Sequence, residues 1–449
     1  MASADNRTDV DVVVVGAGPA GLSAARQLMQ SGCSVALLEA RKRIGGRTHS
    51  IALGSQTGVD VGAHWLHASR TNPLVQEART RGIALSSADS WPIVYDGDRT
   101  LGPWGQMRLW RAWRKIDKGI VRLADHSPDA AANLAIDRTN RWHILAGNLH
   151  GSHACGVDLS QVSVEDFANA LDSDDRFVEG GYGGLVAAAG STAAPRLDVT
   201  VTGLDWRGDG VAVETTQGKL HASAVILTIP TEVLAREDIR FQPNLPDSHR
   251  RAIHSLPHGH YERLVFTLGD DPFPHERDRA VILMNEANQS LYLLAGGGGR
   301  GVHFADFGGD EARELAAAGM AAMADLVRHW LEKQVGASVA NSLRPLYASN
   351  WSGDPFSCGG WSVARPGCAS ARRTLRDPVA NRIWFAGEAT SIMQWGTVGG
   401  AWLEGQRAAS DVAHMLADQS RSYQGYALVN PGKAGSGKSK RGKRPRNLT

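Results

Sequence analysis

The feature that most limits what this chain can fold into lies near its N-terminus. Asp9 to Val15 is an almost unbroken β-branched run, followed by Gly16-Ala17-Gly18-Pro19-Ala20-Gly21 and a helical stretch from Leu22 to Gln30. A strand that turns on glycines into a helix makes a separate demand on each of them. Gly16 permits the tight turn, Gly18 lets the main chain approach a pyrophosphate, and Gly21 lets helix and strand pack closely. The helix N-terminus then faces the phosphates with its positive dipole end. A second strand, Ser34 to Leu38, ends at Glu39, 18 residues beyond Gly21, where an acid bonds ribose hydroxyls and disfavours a 2′-phosphate. Strand, glycines, helix and acid in this register predict a Rossmann-like dinucleotide site.

The choice between dinucleotides rests on the adjoining segment Glu39-Ala40-Arg41-Lys42-Arg43-Ile44-Gly45-Gly46-Arg47-Thr48. Two glycines beside Arg47 let the main chain approach a diphosphate that the guanidinium neutralises through paired hydrogen bonds, which points to FAD. This spacing resembles the flavin amine oxidase family, which includes monoamine oxidases, polyamine oxidases and histone-demethylase-type enzymes. The resemblance recurs in Gly62-Ala63-His64-Trp65-Leu66-His67 with Asn72-Pro73-Leu74, in Trp384-Phe385-Ala386-Gly387-Glu388-Ala389-Thr390, and in Gly396-Thr397-Val398-Gly399-Gly400-Ala401. Weaker matches are the glycine turn at Gly180-Gly181, the strand through Val201, and Thr228-Ile229-Pro230. In motifs the chain is most similar to polyamine oxidases.

The resemblance implies an α/β chain: a Rossmann-like FAD-binding domain with an inserted α+β substrate domain, the amine oxidase fold. The cofactor domain is expected from 1–85, 195–240 and 355–425, the substrate domain from 86–194 and 241–354, and a disordered basic tail over 426–449. Cofactor contacts carried over by motif are Gly16, Gly18, Ala20, Gly21, Glu39, Ala40, Arg41, Gly46, Arg47, Gly62, Ala63, His64, Trp65, Val201, Gly387, Glu388, Gly396, Thr397 and Val398. The flavin is expected to be non-covalent, because Gly360 stands where monoamine oxidases carry the attached cysteine. Trp361 takes the place of an aromatic-cage tyrosine, and Thr397 is the second-side residue, with Trp395 nearby as a substitute. His64 and Trp65 complete the expected substrate contacts, His64 bonding an amino group.

The implied activity is oxidation of an amine C–N bond by hydride transfer to the flavin, with imine hydrolysis to an aldehyde and dioxygen reduced to hydrogen peroxide. Expected partners are therefore a small amine, preferably a polyamine or relative, and dioxygen. Arg263 aligns with a family lysine that holds water near the flavin, and an always-protonated planar fork does not imitate a lysine of lowered pKa. A register one residue away would turn Glu262 to the flavin instead. Two alternatives stay open: a flavin dehydrogenase or desaturase acting on an amino acid or other small molecule, and a flavin-bearing scaffold with little turnover.

Composition trims the remaining classes. Cys33, Cys155, Cys358 and Cys368 form no CxxC pair, and the histidine groups 254/258/260 and 143/150/153 lack acid or cysteine companions, so no metal site is expected. No long uncharged apolar run or secretion signal occurs, and a cytoplasmic location without membrane attachment is expected. Net charge is +2, but seven lysines and arginines lie beyond Gly432, and without them the chain would carry −5. Such a tail favours no specific nucleic acid, because counterion release is indifferent to sequence. Apolar spacing from Met107 to Leu123 predicts a substrate-domain helix burying its tryptophans, and Gly296 to Gly299 reads as a flexible hairpin tip.

Overall fold

The computed structural model describes residues 8–429, apart from 89–90, 127, 171–173, 274–275 and 300. The β-branched run forms the strand Val10–Val15, next to the edge strand of a seven-stranded sheet and parallel to both of its neighbours, Val35–Leu38 and Gly218–Leu227. A strand flanked on both edges and covered on both faces has no room for polar side chains, and Val12, Val13 and Val14 are fully buried. The long strand Gly218–Leu227 pairs along its other edge first with Val211–Thr215 and then with Ile383–Phe385, which brings a segment from near the C-terminus into the same sheet.

The helix begins at Pro19, three residues before the sequence expectation, because proline suits the first helical position, where no backbone N–H is needed. It packs against the C-terminal helix Val398–Val429, whose Gly405 sits where a Cβ would lie 2.1 Å from the carbonyl oxygen of Ala20. That helix continues through 426–429, so the expected tail does not start at 426; the basic residues from Lys433 onward lie outside the described residues.

The second seven-stranded sheet has the order Arg344–Ala348, Tyr261–Thr267, His303–Gly308, Ser290–Ala295, Arg279–Met284, Ile93–Asp96 and Arg99–Thr100. One face is covered by helices Asp310–Ala318 and Met320–Gln334, which meet Leu264 and Phe266. The two helices are divided at Gly319, whose φ of 85° leaves the right-handed helical range. Along Tyr261–Thr267 successive side chains alternate between faces, so Leu264 and Phe266 fix Glu262 on their side and Tyr261 and Arg263 on the other.

Helix Pro103–His126 buries Leu109, Ala112, Ile116 and Ile120, one stripe at spacings of three and four. Its tryptophans do not follow the expected burial. Trp104 and Trp110 are exposed on the far side of that stripe, and Trp113, at its edge, is half-buried. No helix among the described residues is long and apolar enough to cross a membrane.

Candidate active site

A single cavity of about 930 Å³ runs from the glycine turn of the first sheet to the face of the second sheet that carries Tyr261 and Arg263. Its inner end is made mostly of main chain. Gly16 adopts φ of 101°, and Thr228, which donates from Oγ1 to the Val15 carbonyl at 2.8 Å, would lie 2.5 Å from any Cβ there. Gly18 has open space where a Cβ would stand, the vacancy a close-approaching phosphate requires. Gly45 N–H donates to the Ala17 carbonyl at 2.9 Å and folds the second glycine pair back onto the first, with Gly46 at φ of 57° beside Gly18.

Glu39 closes this end. Its Oε2 accepts from Ala17 N–H at 2.7 Å and its Oε1 from Arg41 N–H at 2.8 Å, so the carboxylate is buried but braced by two donors. Each carboxylate oxygen keeps a second lone pair for a ribose hydroxyl. Ala20, Ala40, Gly62, Ala63, Val201, Gly387 and Val398 line the same wall. Gly21 does not: it sits behind the turn, where a Cβ would lie 1.7 Å from the Gly16 carbonyl oxygen, so its part is packing and not contact.

Two arginines differ from the sequence expectation. Arg41 lines the cavity but spends its guanidinium on Asp354 at 2.6 Å and Ser357 at 2.8 Å, tying the 354–357 loop over the cofactor end. Arg47 donates from Nη1 to the Gly360 carbonyl at 2.6 Å and to Glu388 at 3.1 Å, so only its remaining nitrogens are available to a diphosphate. Glu388 in turn accepts from Ser362 Oγ at 2.7 Å and Gly396 N–H at 3.0 Å. Burial alone would raise its pKa, but Arg47, His258, Arg372 and the Ser362 hydroxyl outweigh it and hold the carboxyl below its ordinary value. The Glu388 carboxylate thus pins the start of the Gly396–Val398 segment. Thr397 caps the C-terminal helix: its Oγ1 accepts from Gly400 N–H at 2.9 Å.

The outer end is made of side chains. His64 lies beneath it, buried, with Nδ1 2.8 Å from Asp60 and Nε2 3.1 Å from Asp278. Burial opposes its charge, yet the hydrogen bonds to both carboxylates prevail and raise its pKa. This corrects the expectation that His64 bonds a substrate amine, since neither ring nitrogen is spare. Arg263 is likewise enclosed. It forms a two-pronged pair with Asp306 at 2.6 and 2.8 Å and donates to the Asp60 carbonyl at 3.1 Å. Burial would lower its pKa, but Asp306 drives it higher still. The alternative register is excluded, because Glu262 points to the opposite face and accepts from Ser349 Oγ, Trp351 N–H and Ser352 N–H.

Trp361 and Trp395 both reach the cavity. Trp361 packs on Tyr261 with centroids 5.1 Å apart, and its ring fills the space over Gly396, where a Cβ would come within 2.8 Å. Trp395 is more a wall than a lid, for its Nε1 donates to the Asp166 carbonyl at 3.0 Å and Arg372 lies 5.0 Å over its ring. Trp65 adds a third indole, 5.6 Å from Phe177. Sequence reasoning missed His153, Tyr292 and Asp278. His153 ends the five-residue π-helical turn Leu149–His153, which follows the helix Arg141–Asn148, and Asp278 adopts φ of 48°, which its hydrogen bonds to His64 and Gly298 N–H stabilise. The same bond shows that Gly296 to Gly299 is more than a hairpin tip, since Gly298 braces the cavity wall. No group of three metal-ligating side chains occurs among the described residues.

Residues 123–413 match the model of the flavin containing amine oxidoreductases, and residues 14–78 match that of an NAD(P)-binding Rossmann-like domain. The chain is 30% identical to lysine-specific histone demethylase 1 homolog 2 of Oryza sativa subsp. japonica over 95% of its own length and 60% of that protein. It is 28% identical to polyamine oxidase 2 of Arabidopsis thaliana, covering 89% of this chain and 87% of that one. It spans little more than half the length of the histone-demethylase relatives it matches. A solved structure from a redesign of cofactor binding in putrescine oxidase superposes with a TM-score of 0.76 over 90% of this chain and 98% of that one, at 19% identity, a likeness of fold. A cradle that fits FAD, on a fold shared with an amine oxidase and a sequence matched along most of its length, makes this chain a member of the flavin containing amine oxidoreductase family.

Proposed function

We propose that the chain oxidises a small amine with FAD held non-covalently at the inner end of the cavity. The chemistry FAD supplies when bound is acceptance of a hydride from the carbon beside nitrogen and return of the electrons to dioxygen as hydrogen peroxide, while water hydrolyses the imine to an aldehyde. The protein's own work is positioning and exclusion of water. Gly18, Glu39 and the free nitrogens of Arg47 hold the dinucleotide. Glu388 and Thr397 set the helix start that borders it. The aromatic surfaces of Trp361, Tyr261 and Trp65 confine the amine. His64 and Arg263 hold the cavity floor in one arrangement through charges that never meet substrate.

The observation that carries this reading is the continuity of a glycine-built cradle with an aromatic chamber in one cavity. The motif at Gly360 supports non-covalent attachment. A test is to purify yellow protein, offer monoamines, diamines, polyamines and amino acids, and measure peroxide in air. Peroxide produced with an amine supports the reading; turnover of amino acids alone contradicts it. A second reading, a dehydrogenase using another electron acceptor, is favoured by one observation: Arg263 is bound to Asp306 where the family lysine is expected. It predicts flavin bleaching by an amine without return of colour in air.

A further inference from the structure

Helix Pro103–His126 turns one stripe toward the protein and leaves the opposite face uncovered. On that face Trp104 is 75% exposed, Trp110 and Val121 are 49% exposed and Met107 is 38% exposed. Residues three apart step back by about 60° around a helix, so Trp104, Met107 and Trp110 fan across a sector of about 120°. Arg111, Arg114 and Lys118 fall inside the same sector, and Arg108, Lys115 and Arg122 border it; all six are exposed. Among the described residues none of the six forms a salt bridge, whereas Arg313 and Arg328 on other surface helices pair with Asp310 and Asp325 at 3.1 and 2.8 Å. The acids of this helix are Asp117 and Asp125 alone, and Asp117 lies 3.2 Å from His150. A chain that is net negative without the basic residues beyond Gly432 thus concentrates unpaired cations beside exposed indoles on one helix face.

That combination limits what can cover the face. A second copy docked here by a two-fold axis would set the same cations against one another, and like charges repel. A protein partner's interface gathers its apolar anchors at a charge-depleted centre, but here every turn mixes the two kinds. A nucleic-acid duplex would reward the cations and leave Met107 and Val121 with nothing. The headgroup layer of an anionic bilayer rewards both sets. Indoles settle where apolar and wet regions meet, and acidic headgroups attract clusters of about four to eight lysines and arginines on a helix. The net-negative remainder of the molecule is repelled from such a surface, which orients the protein with this helix down.

We propose that helix Pro103–His126 docks the protein on the surface of an anionic lipid bilayer, with Trp104, Met107, Trp110 and Val121 in the headgroup layer and the six cations on acidic lipids. The attachment lies on the membrane without spanning it. It replaces the expectation that the chain stays off membranes. The inner face of the helix keeps its place, since Leu109 and Trp113 line the cavity in either state. The inference goes beyond amine oxidation and does not depend on it.

The test pellets the FAD-loaded full chain, at physiological salt, with vesicles of phosphatidylcholine alone or of phosphatidylcholine mixed with phosphatidylserine. Binding to the mixed vesicles is expected to be at least about tenfold tighter. Trp104→Ser/Trp110→Ser is expected to weaken it about tenfold, with flavin content and amine turnover in solution unchanged. Arg111→Gln/Lys118→Gln is expected to weaken it by at least about tenfold and to lessen its dependence on salt. Equal binding to the two kinds of vesicle, or none, overturns the proposal. So does a tryptophan variant that binds like wild type, the result that attachment through the basic residues beyond Gly432 alone would give. Tighter binding to duplex DNA than to the mixed vesicles, or a dimer in sedimentation that the tryptophan variant abolishes, assigns the face to another occupant and overturns it as well.

Discussion

The two ends of the cavity are built on opposite plans. The inner end is main chain brought close by glycines, with Glu39 and Arg47 supplied from a short stretch of sequence. The outer end is a patchwork of side chains from helix 103–126, the turn at 149–153, strands of the second sheet and the loop before the C-terminal helix. A cradle for a fixed ligand can be written in local spacing. A chamber assembled from residues far apart in sequence leaves no such local spacing to read.

The sharpest way to break this contrast is at Gly21. Gly21→Val drives a side chain into the Gly16 carbonyl, and the expected outcome is little soluble protein and none that takes up FAD, read from the ratio of flavin to protein absorbance. The outer end answers to charge instead. Arg263→Leu strands the buried Asp306 and is expected to cost about 3–5 kcal/mol in denaturant unfolding, most of it regained in the Arg263→Leu/Asp306→Leu double variant. A double variant no more stable than the single one would show that the pair is not what holds this wall.

Smaller effects refine the comparison. Glu39→Ala removes the acceptor for two main-chain N–H groups and for the ribose, and is expected to weaken FAD binding by roughly tenfold or more in titrations of apoprotein, with folding retained. The histidines predict a two-sided pH dependence. His150, His153 and His258 have pKa values brought down to about 4, about 4 and about 3, chiefly by burial, against 6.5 in the unfolded chain. Their unfolded forms bind protons first, so stability falls as pH drops below about 6.5. His64 has a raised pKa, so its contribution is complete below the unfolded value and is lost as pH rises through the folded one. Thermal midpoints measured across pH should decline on both sides, and an acid side without decline would contradict the neutral, buried rings. The least change is expected at exposed Trp110: Trp110→Ser should alter stability by no more than about 0.5 kcal/mol and leave amine turnover unchanged.

Legibility in the sequence divides along the same line. The strand, glycine turn, helix and acid were readable because each residue answers a main-chain requirement at fixed spacing. Every cofactor-contact residue named from motif lines the cavity except Gly21, whose role is packing. What sequence could not show was pairing across long separations. His64 looked free because Asp278, 214 positions away, is its second partner. Arg263 looked like a misplaced lysine because Asp306 lies on a neighbouring strand. His153 belongs to a histidine cluster that composition suggests only as a poor metal site, and only the π-helical turn turns it to the cavity. The exposed tryptophans of helix 103–126 show the limit of periodicity, which locates a buried stripe but not the fate of residues at its margin.

One measurement bears on the central claim that this cavity holds a flavin at one end and an amine at the other: the visible spectrum of the purified protein, recorded without oxygen before and after addition of 2-phenylethylamine. The account predicts a yellow protein whose colour is released by denaturation and, in the native state, bleached by the amine. A colourless protein that takes up no FAD, or a yellow one that neither this amine nor any other bleaches, would contradict it.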